Sequence, residues 1–203
     1  MKLMSDSDHG YLDEAGLPSY THSNKLMAWL FWKRVKTALR LSQDLNNCSV
    51  LDFGCGCGVT FKYLDAFGCD ITGCENQFID TTRKVCGQLQ INVKLCTSLS
   101  EISEAKFDRI LALDVLEHVD SLDKYTQDLS SLLKPDGKLI LSGPTENIIY
   151  SLGRKMAGFS GDFHVRNVYD IEKSLQRAGL KRTALKILPF PIPLFRISTW
   201  IKS

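Results

Sequence analysis

From about residue 24 onward, the chain alternates between two hydrophobic patterns. In some segments apolar residues recur every three or four positions, which predicts helices, and between them lie short continuous apolar runs typical of strands covered on both faces. The predicted helices cover residues 24–41, the stretch from the glycine-rich turn to residue 67, and residues 77–89, 121–133 and 168–178. The predicted strands cover residues 49–53, 70–74, 91–96, 107–113, 138–142, 181–188 and 194–201.

This alternation of strands and helices predicts an α/β fold. Right-handed crossovers between apolar parallel strands place helices on both faces of the sheet, which gives a doubly wound sandwich. The last two strands are joined only by the short proline-containing stretch 189–193, so we expect them to be antiparallel. The turn at Pro135-Asp136-Gly137 is expected to lead into the fifth strand.

With 203 residues, the chain is long enough for one well-buried domain. We expect four parts within it. Residues 1–41 form an N-terminal arm and helix, and residues 48–143 form the central α/β core. Residues 144–167 form an insert beyond the fifth strand. Residues 168–203 form a C-terminal helix and hairpin.

Composition and charge exclude several classes of protein. Because the formal net charge is only +2 and the basic runs at Lys33–Lys36 and Lys181–Arg182 are short, we expect those runs to be solvated element ends and expect no nucleic-acid partner. The apolar run 27–32 is far shorter than the roughly 18 to 20 residues that span a bilayer. No signal peptide is visible, so we expect a cytoplasmic protein. Seven scattered cysteines without zinc-site spacing indicate reduced thiols and no metal.

The strongest candidate site is the glycine-rich turn Gly54-Cys55-Gly56-Cys57-Gly58, which follows the first predicted strand. Glycines there let the backbone turn sharply and approach a ligand closely. In open α/β sheets the ligand crevice lies at the carboxyl ends of the strands. The dinucleotide pattern G-x-G-x-x-G would need a third glycine where Val59 stands. The turn therefore predicts a nucleotide-like ligand and argues against a nicotinamide dinucleotide.

A second candidate residue is Glu75, at the end of the second predicted strand. Its carboxylate is placed to accept hydrogen bonds from both ribose hydroxyls of a nucleoside bound over the glycine turn. A solvated strand-end acid is the simpler interpretation of Glu75 taken alone, but its position relative to Gly58 favours the paired interpretation.

Together with residues 107–119 and 133–139, these features make the sequence resemble the class I S-adenosylmethionine-dependent methyltransferases that act on small molecules. The resemblance covers most of residues 49–142. It implies a Rossmann-like, doubly wound, seven-stranded sheet that is mostly parallel with an antiparallel C-terminal strand. It also implies S-adenosyl-L-methionine as the cofactor.

Carried over residue by residue, the resemblance implies a cofactor site. Its members are Asp52 beneath the loop, Gly54, Gly56 and Gly58 along the methionine and ribose, Glu75 at the ribose, Asn76 beside the adenine, and Asp114 and Val115 at the methionine end. Many members of the family carry an acidic residue just after the third strand to contact the adenine. This chain has Thr97, Ser98 and Leu99 there, so we expect the contact to come from backbone or from the Ser98 hydroxyl.

Two histidines are candidates for the general base that a hydroxyl or ammonium acceptor would require. His118 follows the fourth strand, and His164 lies in the insert expected to overhang the substrate. An imidazole titrates close to neutral pH, which suits this role. The alternative role of His118 is to cap the following helix or to shape the pocket, and the sequence leaves open whether a base is used at all.

The acceptor is the least constrained part of the function. The amphipathic insert, together with Trp29, Phe31, Trp32 and the stretch 190–195, favours a small apolar or lipid-linked acceptor, or a peripheral membrane contact. A cell-envelope glycan or a secondary metabolite would fit nearly as well, and the same residues would also serve as core. Two alternatives to methyl transfer stay open, namely a non-catalytic S-adenosylmethionine-binding partner protein and a nicotinamide-dependent oxidoreductase.

Overall fold

A computed structural model of the chain describes residues 20, 24–102, 104–145, 166–191 and 193–203. The helices are α1 (Lys25–Ser42), α2 (Phe61–Asp65), α3 (Ile79–Leu89), α4 (Leu122–Leu132) and α5 (Val168–Arg177). The strands are β1 (Ser49–Phe53), β2 (Asp70–Cys74), β3 (Val93–Cys96), β4 (Phe107–Leu113), β5 (Leu133–Pro144), β6 (Leu180–Leu188) and β7 (Phe195–Lys202). A 3₁₀ helix covers Leu99–Ile102.

All seven strands form one sheet in the order β3-β2-β1-β4-β5-β7-β6. Strands β1 to β5 are mutually parallel, and β7 runs antiparallel to both of its neighbours, β5 and β6. The predicted α/β fold with a mostly parallel sheet and an antiparallel C-terminal strand is confirmed. The sheet order reverses beside β1, which is where a doubly wound sheet forms its ligand crevice.

The sheet separates two apolar layers, because successive side chains of a strand point to opposite faces. Along β4, Leu111 packs into the layer under α1, α2 and α3, whereas Ile110 and Ala112 pack into the layer under α4 and α5. Trp200 of β7, which is completely buried, fills the second layer. None of the described helices is both long and apolar enough to cross a membrane.

Helix α1 runs antiparallel to the parallel strands. Its last carbonyl, that of Ser42, accepts a hydrogen bond from Nε of Arg109 in the first half of β4 (2.7 Å). Nη2 of Arg109 donates to the carbonyls of Gln43 and Asp44, and Nη1 donates to the carbonyl of Asp108, so this buried guanidinium satisfies the carbonyls at the end of the helix. The N-terminal half of α1 therefore reaches the carboxyl edge of the sheet.

Three elements start two or more residues away from the position that the sequence predicts. Helix α3 starts at Ile79 rather than at residue 77, because Glu75 already takes the amides of the two intervening residues. Strand β5 starts at Leu133, pairs with Phe107, and then bulges through the expected turn before Lys138 pairs with Arg109. Strand β3 starts at Val93, since the amide of Ile91 instead caps α3 by donating to the Cys86 carbonyl.

The expected insert, residues 144–167, lies almost wholly outside the described residues, as does the N-terminal arm apart from Tyr20. The division of the chain into four parts stays a prediction.

Candidate functional site

A cavity of about 660 Å³ lies at the carboxyl edge of the sheet, where β1, β2 and β4 end. Its volume lies within the range of roughly 300 to 1,000 Å³ that is usual for small-molecule sites. The sequence-predicted residues that line it are Gly54, Gly56, Glu75, Asn76, Ser98, Leu99, Asp114, Val115 and His118. The lining residues that the sequence did not single out include Phe78, Val119 and Tyr125, which supply apolar surface.

The glycine loop has the conformation that its sequence requires. Gly54, Gly56 and Gly58 all have positive φ, at 71°, 53° and 75°. A Cβ added to Gly54 would lie 2.3 Å from Cγ2 of Val115, so a side chain there would collide with the wall of the cavity. Gly58 lies outside the cavity lining, and its added Cβ would meet the ring of Phe61 at 2.4 Å. Gly58 thus lets α2 pack closely against the loop.

Glu75 is held in place by three backbone amides. Its Oε2 accepts a hydrogen bond from the amide of Gly56 (3.0 Å), which fixes the glycine loop to the end of β2. Its Oε1 accepts from the amides of Gln77 (2.9 Å) and Phe78 (3.4 Å). Because Oε2 accepts a single hydrogen bond, a lone pair remains there for a hydroxyl donor in the cavity.

Asp52 lies outside the cavity lining, beneath the glycine loop. It is buried and accepts a hydrogen bond from Oγ1 of Thr60 (2.5 Å). Burial raises the pKa of this carboxyl to about 7, the bond from Thr60 opposes the shift, and the nearby charge of Glu75 adds to it. In this structure Asp52 thus lies beneath the loop and supports it through Thr60, and its place in the cofactor site stays a prediction.

Asp114 marks the other polar end of the cavity. It follows β4 with a positive φ of 55°, its amide donates to the Ser142 carbonyl (3.0 Å), and its Oδ1 accepts from Oγ of Ser142 (3.1 Å). Its Oδ2 forms an ion pair with Arg34 of α1. Arg34 itself lies behind Asp114 and outside the lining.

Arg34 is the main site-associated residue that sequence reasoning missed. The expectation that the basic run at residues 33–36 is solvated is wrong for Arg34, which is only 5% exposed. Its guanidinium lies 4.8 Å from the Phe31 ring centroid and 5.0 Å from that of Phe195, and its Nη2 donates to the hydroxyl of Tyr20 (3.3 Å). Burial lowers the pKa of Arg34 while Asp114 raises it, and the net shift is upward. The helical spacing could have indicated that Arg34 is buried, since position 34 lies one turn from each of the apolar positions Leu30 and Ala38.

The loop after β3, where the sequence lacks the acidic residue common in the family, is held together by Glu101. One carboxylate oxygen of Glu101 accepts hydrogen bonds from the amides of Thr97 (2.9 Å) and Ser98 (3.0 Å) and from the Thr97 hydroxyl (2.7 Å). These bonds lower the pKa of Glu101. Its charge is thereby turned toward its own loop, which leaves Ser98 and Leu99 to face the cavity.

The two histidine candidates differ in how far the structure describes them. His118 lies at the cavity wall, and its amide donates to the Val115 carbonyl (3.1 Å). The segment that follows it is held by Arg166, whose guanidinium donates to the carbonyls of Val119 and Asp120. His164 lies outside the described residues, so its role stays a prediction.

Comparison with known proteins decides the family. A family model described as a methyltransferase domain matches residues 25–185. The chain belongs to this family. The match includes α1 and the whole cavity, and the resemblance expected from the sequence is confirmed.

Two relatives are ubiquinone biosynthesis O-methyltransferases. The one from Rickettsia conorii is 26% identical over 142 residues, which are 68% of this chain and 49% of the relative. The one from Coxiella burnetii is 31% identical over 103 residues, which are 48% of this chain and 44% of the relative. The matched region thus spans about half the length of these relatives.

Among solved structures, the magnesium protoporphyrin IX methyltransferase ChlM from Synechocystis PCC 6803, which has bound SAH, matches 96% of this chain and 97% of its own with a TM-score of 0.70. At 20% identity, this likeness supports the fold alone.

Proposed function

We propose that this chain transfers a methyl group from S-adenosylmethionine to a hydroxyl group of a small, apolar acceptor. One observation carries the proposal. A single cavity at the switch point of the sheet contains both the amide-bound carboxylate of Glu75 and the Asp114 carboxylate that pairs with Arg34. Family membership supports methyl transfer, and the two O-methyltransferase relatives support a hydroxyl acceptor.

The residues present fit the cofactor. Glu75 would accept the ribose hydroxyls, and Gly54 and Gly56 allow close approach of the backbone. Asn76, Ser98 and Leu99 would flank the adenine. Asp114 and Val115 would lie beside the methionine, where the Asp114 carboxylate, held in place by Arg34, would face the ammonium group. Asp52 and Gly58 would act indirectly, by holding the loop.

When bound, S-adenosylmethionine supplies a methyl group on a sulfonium that leaves as a neutral thioether. The chain then has to align the acceptor behind the methyl carbon and exclude water, and alignment alone lowers a barrier by several kcal/mol. A hydroxyl acceptor also has to lose its proton. We assign that role to His164 from the insert, and His118, which lies at the cavity wall, is the alternative.

An apolar acceptor is the substrate class that the cavity favours. Beyond the residues assigned to the cofactor, Phe78 and Val119 supply apolar wall, and Tyr125, whose ring packs 5.6 Å from that of Phe53, extends this surface. A non-catalytic S-adenosylmethionine-binding protein is the alternative. The nicotinamide alternative has lost its support, because Val59 breaks the dinucleotide pattern and the family model describes a methyltransferase domain.

The test is a methyl-transfer assay with tritiated S-adenosylmethionine and phenols that carry alkyl chains of increasing length. We expect label in the organic phase, with a lower KM for longer chains. Turnover that favours short, hydrophilic phenols would contradict the apolar acceptor. Binding of S-adenosylhomocysteine without transfer to any hydroxyl would contradict catalysis and favour the alternative.

A further inference from the structure

Exposed large apolar side chains gather at the edge of the sheet on which the cavity opens. Leu26 and Trp29 of α1 are 69% and 51% exposed, and Phe190 in the β6–β7 turn is 87% exposed. In α1, Arg34 meets Asp114 at the carboxyl edge, while Ser42 meets Arg109 nearer the amino end of β4. Residues that precede Arg34 therefore extend toward and past the carboxyl edge.

The β6–β7 turn lies at this same edge. Strand β7 begins at Phe195, which is the register partner of Pro144, the last residue of β5. The Phe195 ring also packs against that of Phe31 in α1, with 5.8 Å between centroids. Phe195, at the end of the turn that carries Phe190, thus connects this turn to the N-terminal half of α1.

Helix α1 also presents a basic face. It contains no Asp or Glu and five basic residues, of which only Arg34 is buried. The other four are separated by eight, three and four positions, so they share one side of the helix with Trp29. They are Lys25, Lys33, Lys36 and Arg40. None of these four pairs with an acidic side chain within the part of the chain that the structure describes, and Nζ of Lys33 lies 5.7 Å from the Trp29 ring centroid.

From this juxtaposition we infer that α1 and the β6–β7 turn dock the protein on an anionic lipid bilayer. Lysines and arginines beside exposed tryptophan and leucine are the composition of helices that lie in the membrane interface. Each basic residue near an anionic surface contributes about 1 kcal/mol of attraction. Leu26 and Phe190 favour an apolar phase over nucleic acid, and a second copy seated on the same face would bring like charges together.

Docking in this way places the mouth of the cavity toward the lipid. This inference adds to the proposed function the source of the substrate, since an apolar acceptor would then enter the cavity from the membrane. The docking itself does not depend on methyl transfer, so it is tested without cofactor or acceptor.

The experiment is co-sedimentation of the full chain with vesicles of phosphatidylcholine alone or with added phosphatidylglycerol. We expect binding to the anionic vesicles that weakens as salt is raised. Lys33→Glu/Lys36→Glu should lower this binding at least about tenfold. The matched control, Lys84→Glu/Lys173→Glu, makes the same change in net charge on other helices and should leave binding within about twofold of wild type on the same basis.

Trp29 provides a spectroscopic readout at the contact itself. Its emission should shift to shorter wavelength on vesicle binding, and Trp29→Phe should remove the shift while the protein still sediments. Leu26→Ser/Phe190→Ser should weaken binding to anionic vesicles without changing the unfolding temperature. Both side chains are exposed, so the fold does not need them.

Three outcomes would overturn the docking surface. One is no binding to anionic vesicles, and another is equal loss in the α1 variant and its control. The third is retention by nucleic acid or by a second copy of the chain instead of by vesicles. Methyl-transfer activity measured in parallel shows whether the proposed function holds independently.

Discussion

Arg34 of α1 and Asp114 at the end of β4 form a buried ion pair, with 6% and 17% of their side-chain surfaces exposed. The pair joins the N-terminal helix to the wall of the cavity. The amide of Asp114 donates to the Ser142 carbonyl and its Oδ1 accepts from Oγ of Ser142, so Asp114 is held through both its backbone and its side chain. This arrangement makes the cavity depend on a helix that precedes the first strand of the sheet.

Removing one charge of this pair should lower the free energy of unfolding more than removing both charges together. Arg34→Met should lower the free energy of unfolding by roughly 3 to 5 kcal/mol, because Asp114 is left as an uncompensated buried charge. Arg34→Met/Asp114→Asn should recover much of that loss, since asparagine tolerates positive φ. Urea unfolding of the two single variants and the double variant measures the coupling, and additive losses would contradict the pair.

Asp52 should make stability depend on pH. Its folded pKa of about 7 lies above the unfolded value, so its contribution to stability is fully present at low pH and is lost as pH rises toward 7. Between pH 4.5 and 7.5 the wild-type free energy of unfolding should fall by about 3 kcal/mol more than that of Asp52→Asn. Parallel pH profiles for the two proteins would contradict the raised pKa.

Gly54 should tolerate no side chain while Val115 is present. Gly54→Ala combines a positive φ with a Cβ 2.3 Å from Val115, so we expect a loss of at least about 2 kcal/mol in the free energy of unfolding. Gly54→Ala/Val115→Gly should restore part of it, because the collision is removed and the φ strain remains. A double variant no better than Gly54→Ala, measured by thermal unfolding, would argue against this contact.

Glu75 should affect cofactor affinity more strongly than a nearby surface acid. Glu75→Gln should weaken S-adenosylhomocysteine binding by roughly 10- to 100-fold, which is the effect expected from losing hydrogen bonds to a charged group. Asp80→Asn changes the same charge on the exposed first turn of α3 and should leave the affinity within about twofold. Equal effects in the two variants, measured by calorimetry, would remove the ribose role of Glu75.

His164 should matter for turnover and not for cofactor binding. As the proposed base, its loss in His164→Ala should lower kcat by about 100-fold or more. The dissociation constant of S-adenosylhomocysteine should hardly change. His118→Ala, compared in the same assay, shows which imidazole carries the proton. If His164→Ala loses affinity and turnover together, its assignment as a base fails.

The fold was predictable because the pattern of apolar residues along the chain follows which strands and helix faces become buried. Apolar runs such as 107–113 become central parallel strands, and the glycines of the loop are required by backbone geometry that no other residue meets easily. The position of Glu75 in the cavity could also be predicted, since a residue at the carboxyl end of a central strand lies at the ligand crevice once the sheet forms.

Buried polar residues were harder to predict. Arg34 and Arg109 look like surface charges in a sequence, because only the folded chain shows that one meets Asp114 and the other the end of α1. The sequence also does not show that the hydroxyl of Thr60 lies within hydrogen-bonding distance of the Asp52 carboxylate. Such partners are distant in sequence or hidden by turns, and hydrophobic periodicity carries no information about them.

Isothermal titration calorimetry of the full chain with S-adenosylhomocysteine tests the central claim most directly. The cavity predicts one molecule bound per chain with a dissociation constant in the micromolar range, about 8 kcal/mol of binding free energy, and a matching rise in unfolding temperature. No heat of binding and no thermal shift at a ligand concentration of about 100 µM would contradict the claim, since ligand well above its dissociation constant must stabilise the folded state.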